Sequence, residues 1–533
     1  MRGSMGLGLI ATISLFACAA TGVADETSAP AGAGGTAESS SDPTQPGASS
    51  ADPTDPEKPA SPIVSNIAVT DVAVFQAVKV GVVKSGALVA PKSRNAPVVA
   101  KRPGLIRVYV KPGDDWSARE LTAEVRLVAG DKKFPILRET KTIRAASKDD
   151  DPKSTFNLEV PADNLVPGVT FQVALTAADG ERVKDGETSE GRFPQDGTFE
   201  DLGAKLSGKL KVVLVPVKYD TDGSGRTPDV GLAQLERYKK TLMQLYPTSE
   251  VELSTHAPYP WTTTISGNGA GFSNVLRAMH SLRQKDKVAD DVYYYGLLTP
   301  AASMGSFCGG GCVAGLSTVV DEDTPVLRAS VGLGFAGQEA ADTMAHEIGH
   351  AHGREHAPCG GPSGVDRDYP YPQAQIGVWG YDIFDKKLIA PTKGRDMMAY
   401  CPNQWISDYT YKALFERIAA VSTEKNVAFS ASSNAAPKET HASRYRVASV
   451  DASGELAWES GDDAELVLQT EPTGGSIVPA HFVSENGANL TTRPARFYRF
   501  DHLPGGLLFV PAESATAWKT LRVEGFRTPL SRY

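Results

Sequence analysis

One short stretch, Ala345-His346-Glu347-Ile348-Gly349-His350-Ala351-His352-Gly353-Arg354-Glu355-His356, constrains this chain more than any other feature. On a helix, His346 and His350 are four residues apart and project from one face about one turn apart. Such a pair can grip a single metal ion. Glu347 sits beside that ion without having to ligate it, where a carboxylate can act as a general base on an activated water. Gly353 can end the helix at a positive φ and let the chain turn back, which brings His356 to the same ion. Three neutral imidazoles leave one coordination position open, the arrangement of a catalytic zinc site with one Zn2+ and not of a closed structural one.

Every defined position of H-E-x-x-H-x-x-G-x-x-H is met, and in this the chain resembles the metzincin zinc endopeptidases. Downstream, Asp396-Met397-Met398-Ala399-Tyr400-Cys401 fits the methionine turn of that family. The resemblance implies that Met398 is the turn methionine, since Met397 has no tyrosine two residues on. It implies that Tyr400 is the tyrosine that can ligate zinc and then stabilise the transition state. It also implies a twisted, mostly parallel sheet ahead of the zinc helix, with an edge strand at Val326–Gly334 able to bind an extended peptide. Subsite preference would then come from the loop 360–391. Four cysteines remain after export, Cys308, Cys312, Cys359 and Cys401, with three connectivities open. If the ligand loop and the methionine turn meet beneath the zinc, as the resemblance implies, Cys359 pairs with Cys401 and Cys308 with Cys312.

The start of the chain reads as an export signal over residues 1–18, with Arg2 as its positive end and an apolar run from Leu7 to Ala17. Its end, Leu15-Phe16-Ala17-Cys18, resembles the lipobox of bacterial lipoproteins and implies a lipid on Cys18. Ala19 after the cysteine resembles the pattern that permits transfer to an outer membrane. An exported protein anchored to the outer membrane or cell surface follows, or a secreted one if the signal is cleaved without lipidation. Residues 19–62 are rich in Ala, Gly, Ser, Thr, Pro and Asp and lack the apolar surface to fold, so they read as a tether.

The remaining chain is too long for one core. The expectation is a multidomain α+β protein: a β-sandwich of immunoglobulin type over 63–200, a metzincin-like zinc protease domain over 205–425, and a second β-sandwich over 426–533. Strand runs such as Leu105–Val110 and Leu121–Leu127 alternate apolar and polar residues. Strand-like Lys211–Val217 is followed by helical spacing at Leu232, Leu235, Tyr238, Leu242 and Leu245, and strand and helix then alternate, which predicts a mostly parallel sheet. The N-terminal segment reads as a spacer with its own core.

Net charge is −9 with no basic block, which argues against a nucleic-acid partner. No later stretch is apolar and long enough to cross a membrane, so membrane contact should come from the N-terminal lipid alone. The partner expected is a protein or peptide substrate, acted on by a monomer. Asp366 and Asp368 could hold Ca2+, although an acidic surface turn accounts for them, and the same holds for Asp220 and Asp222. His352 points to another helix face and reads as a surface residue or a residue behind the ligands. His256, His280, His441, His481 and His502 have no partner at ligand spacing and read as structural. Two rivals to an endopeptidase are an adhesin on an inactive protease scaffold and a zinc amidase acting on cell-wall material.

Overall fold

The period-2 runs at the start of the folded chain become two antiparallel sheets. One pairs Lys79–Lys84, Ile67–Phe75, Gly104–Pro112 and Phe156–Val160 in that order; the other is built on Thr170–Thr176, Arg119–Ala129 and Leu137–Ile143. Their apolar faces, including Val72, Val108, Val125 and Phe171, are buried. A computed structural model describes residues 62–180, 187–320, 324–422, 443–459, 465–468, 471–513, 518–527 and 529–532. Cys18, the export signal, the tether and His441 lie outside the described residues.

The middle of the chain forms β1 (Lys209–Tyr219), α1 (Leu232–Leu245), β2 (Glu250–Thr255), β3 (Tyr259–Trp261), α2 (Phe272–Lys285), β4 (Val292–Leu298), β5 (Gly315–Ser317), β6 (Ala329–Leu333), α3 (Gln338–Ala351) and α4 (Asp408–Val421). The strands make one six-stranded sheet in the order β2-β1-β4-β6-β5, with β3 also on β1. All pairs are parallel except β5 with β6. The strand that borders the site is therefore β5 and not the Val326–Gly334 segment, whose strand β6 lies between β4 and β5. Three residues are too few for periodicity to announce a strand, which is why the longer β-branched run read as the edge.

The N-terminal sandwich is no separate spacer. Its apolar core runs without a break into the core around α1, α3 and α4. Arg102, 0% exposed, reaches out of the sandwich and donates to the carbonyls of Met243 (2.5 Å), Tyr246 (2.9 Å), Thr248 (3.1 Å) and Gln244 (3.3 Å). These lie at the C-terminal end of α1, where the last carbonyls have no partner within the helix. The hairpin Gly380–Asp382 and Lys387–Ile389, within the loop expected to set subsites, packs instead against the sandwich: Tyr381 N–H donates to Ala77 O, and Tyr381 and Ile383 cluster with Phe75.

The last part corrects the expected second sandwich. Its strands form one eight-stranded antiparallel sheet, including β7 (Ser443–Val450), β8 (Asn489–Arg499) and β9 (Gly506–Pro511). The sheet curls until Trp458 Nε1 on one outer strand donates to Ser531 O on the other, 2.8 Å apart. Alternating patterns are the same in a sandwich and in a nearly closed sheet, so sequence periodicity could not separate them. Tyr445, Tyr498, Phe500 and Phe509 of this sheet share a core with Leu276 and Met279 of α2 and with Val326 and Leu327.

Candidate metal centre

α3 carries His346, Glu347 and His350, and all three are buried, at 6%, 1% and 0% exposure. The helix stops at Gly353, whose φ of 82° is left-handed; a Cβ there would lie 2.7 Å from Arg417 Nη2 and 2.8 Å from Val320 O. The reversal that follows delivers His356, 1% exposed, to the two helix histidines. His350 Nε2 is 3.1 Å from His346 Nε2 and 3.1 Å from His356 Nε2.

Proton bookkeeping decides what these three nitrogens can hold. Each Nδ1–H donates to a backbone carbonyl: His346 to Met397 O (2.7 Å), His350 to Arg354 O (2.6 Å) and His356 to Ser363 O (2.6 Å). A carbonyl only accepts, so each Nδ1 carries the proton and each Nε2 turns a lone pair toward the same point. Burial pushes His346 and His356 down to about 3, the neighbouring His502 and His346 respectively adding to the effect, and burial takes His350 well below its ordinary value, which keeps all three neutral. Three converging lone pairs without a proton between them fit a cation, and imidazole nitrogens suit zinc and related transition metals.

The methionine turn is fixed beneath this group. Asp396, 0% exposed, accepts from Met398 N–H (2.9 Å), Ser407 N–H (2.9 Å) and Ser407 Oγ–H (2.5 Å). Met398 lies against Gly349 between the two helix ligands: a Cβ at 349 would stand 2.5 Å from Met398 Sδ. The disulfide Cys359–Cys401 joins ligand loop to methionine turn, with Tyr400 N–H donating to Cys359 O (3.0 Å), and Cys308–Cys312 closes a small loop. Both are the pairings expected. Tyr400 Oη is 3.1 Å from His356 Nε2, and burial, with the Asp501 and Glu347 carboxylates, raises its pKa.

Glu347 turns its carboxylate toward β5, where Gly315 leaves room for it: a Cβ at 315 would overlap that carboxylate. Burial, reinforced by the charge of Asp501 and opposed by His502, raises its pKa well above the ordinary value. A carboxylate in that state holds a proton readily, as a base near neutral pH must.

Two residues at the centre escaped the sequence reading. His502, taken as structural, stands with its Nε2 2.9 Å from Glu347 Oε1 and its Nδ1 hydrogen-bonded to the Tyr400 hydroxyl. Asp501, 3% exposed, places Oδ2 3.4 Å from His350 Nε2. Burial opposes a charge on His502, but Asp501 and Glu347 outweigh it and hold its pKa up to about 9. Both residues follow β8 in the C-terminal sheet. Spacing could not find them, because Tyr400 and His502 are 102 residues apart in the chain.

The remaining candidates lie elsewhere. His352 is neither on the surface nor a ligand; it is 2% exposed, stacked on Tyr293 with centroids 4.1 Å apart, and donates Nδ1–H to Ile348 O. The Asp366 carboxylate accepts from Tyr409 Oη–H (2.9 Å), from Arg354 Nη2–H (3.4 Å) and from the Asp368 N–H (2.9 Å), and Asp222 pairs with Arg226. Among the described residues, three or more candidate ligand atoms come together only at the histidine centre and its Glu347–Asp501 flank, not at the two acidic turns considered for calcium.

The histidines and carboxylates gathered here, from a helix at the border of a sheet and from two loops, form a buried cluster compatible with a metal ion. The family whose model the chain matches is peptidase M66, over residues 327–450, and the match supports a peptidase domain here. It spans β6, α3, the ligand loop, the methionine turn, α4 and β7. No curated protein matches the chain. Among solved structures, a calcium-binding mutant of Bacteroides uniformis beta-glucuronidase 2 is 12% identical over 46% of this chain and 26% of that one, at a TM-score of 0.15. The chain thus spans about a quarter of that protein's length, and a likeness so slight carries no argument.

Proposed function

We propose that this chain is an exported zinc endopeptidase of metzincin type that hydrolyses peptide bonds in extracellular proteins. It acts as a monomer, without a nucleic-acid partner, and its only membrane contact is a lipid on Cys18. The observation that carries this is the convergence of three Nε2 lone pairs beside a buried Glu347. A zinc ion held by His346, His350 and His356 would supply positive charge that acidifies water and polarises a carbonyl.

The chain's own residues do the rest. Glu347, its proton affinity raised by burial, takes a proton from the attacking water and passes it to the leaving amine. The Tyr400 hydroxyl lies beside His356 and can donate a hydrogen bond to the oxyanion that develops. The backbone of β5 is the sheet border along which an extended peptide can align. One observation favours a non-hydrolysing binding protein instead: His502 fills the space between Glu347 and Tyr400. Metal analysis together with cleavage of denatured casein, on the full chain and on Glu347→Ala, tests the reading. One zinc in each protein, with turnover in the parent only, is the expected result; equal turnover in both removes the mechanism.

A further inference from the structure

The segment after β8 runs against the sheet border and meets it in a single isolated bridge. Phe500 bridges Thr318 in antiparallel pairing, just beyond β5. Asp501 N–H donates to Ser317 O (3.2 Å), Ser317 N–H donates to Asp501 Oδ1 (3.0 Å), and Ser363 Oγ–H donates to Asp501 O (3.0 Å). An extended peptide aligning on that border would take up these same backbone groups. Asp501 Oδ2, which has no hydrogen-bond partner, points into the centre. A ligand atom of His502 lies within 4.8 Å of those of His346, His350 and His356, and its ring stacks on Tyr400 with centroids 5.3 Å apart. With Glu347 at 1%, His350 at 0% and His356 at 1% exposure, no polypeptide reaches the centre in this arrangement.

We propose that Asp501–His502 is an internal blocking strand: carried from the Phe500–Thr318 bridge, it occupies the sheet border in place of a substrate, sets the His502 ring between Glu347 and Tyr400 in front of the three histidines, and keeps the centre latent until these two residues lift away. Asp501 and His502 are held by a few polar contacts, whereas Phe500 before them and Leu503 after them are anchored in the apolar core shared with α2. The two residues between these anchors can therefore move while the sheet stays. The inference rests on the metal-centre reading above, and its test separates the two.

The full chain, His502→Ala and Asp501→Ala are each loaded with cobalt(II) and titrated with acetohydroxamate, a small chelating ligand, by visible absorption; cleavage of denatured casein is measured in parallel. His502→Ala should bind acetohydroxamate about 10- to 1,000-fold more tightly than the parent, the reciprocal of an open fraction of 0.1–10%, and cleave faster by a similar factor. Asp501→Ala, which keeps the imidazole but frees the strand, should gain less, and it carries the test if His502→Ala does not fold. Equal acetohydroxamate affinity in the parent and the variants overturns the blocking strand, as does cleavage that falls in both variants. Tighter acetohydroxamate binding with no cleavage in any protein upholds the blocking strand and removes the peptidase reading. Failure of the parent to take up cobalt overturns both.

Discussion

Replacing Arg102 by methionine should loosen the whole front half of the molecule. The guanidinium is fully buried and donates to five carbonyls: those of Met243, Gln244, Tyr246 and Thr248 at the end of α1, and that of Gln76 within the sandwich (3.1 Å). Methionine fills much of the same volume and donates nothing. Each carbonyl left unpaired in the interior costs about 1–3 kcal/mol, but removal of a buried charge returns part of its desolvation penalty, so the net loss should be about 4 kcal/mol. In a chain of this size, with an unfolding entropy of about 1 kcal/mol/K, that lowers the melting temperature by about 4 °C. Far-UV circular dichroism reports the melt, and tryptophan fluorescence, with Trp116 in the sandwich and Trp405 at the methionine turn, shows whether the two regions move together. Arg102→Lys, a point charge that cannot reach five acceptors, should fall between parent and methionine variant. A methionine variant that melts with the parent would mean that the sandwich and α1 are not joined through this side chain.

Gly349→Ala drives a Cβ onto Met398 and should cost about 1–3 kcal/mol, while shifting the Met397 carbonyl that orients His346 should lower metal affinity about tenfold. Chelator competition reads this, and Gly349→Ala combined with Met398→Ala should recover most of it; a double variant no better than the single one would contradict the packing argument. Opening Cys359–Cys401, which closes a loop with a separation of 42 residues, with serine at both positions should cost about 4 kcal/mol in a urea melt; no change would show that the two loops are held without it. Burial, aided by Arg283, holds His280 down to about 3, so the folded state keeps it neutral where the unfolded chain protonates it. Its contribution is complete above about pH 6.5 and is lost as pH falls toward 3, so between pH 6 and 4 the parent should lose up to about 1.4 kcal/mol per pH unit more than His280→Leu. Parallel stability curves for the two proteins would rule this out.

What the sequence made legible was local. His346, His350 and His356 stand at spacings that a helix and one reversal turn into a single point, so their number along the chain is nearly their geometry. Tyr400 and the two disulfides came through likeness in a short motif, which again concerns residues on neighbouring loops. Asp501 and His502 are a different case: they reach the centre through a sheet assembled from strands far apart in the chain, and no periodicity records which loop of that sheet faces inward. Arg102 shows the same limit. Nothing in its neighbours Lys101 and Pro103-Gly104 marks it as buried, and only the docking of α1 makes it an interior group. β5 was missed because three residues carry no period, and the curl of the last sheet because alternation is indifferent to closure.

The shared cores bear on how such a chain can be altered by recombination. Tyr498 and Phe509 of the last sheet pack with Leu276 and Met279 of α2, and the first sandwich continues into the core around α1 and α3. A crossover that brought in a foreign segment at either end would have to match an apolar surface on the middle of the chain as well as its own interior. The flanks of this protein are therefore poor candidates for exchange as modules, and useful grafts will be confined to exposed turns such as that around Gly487, where a side chain would meet open space.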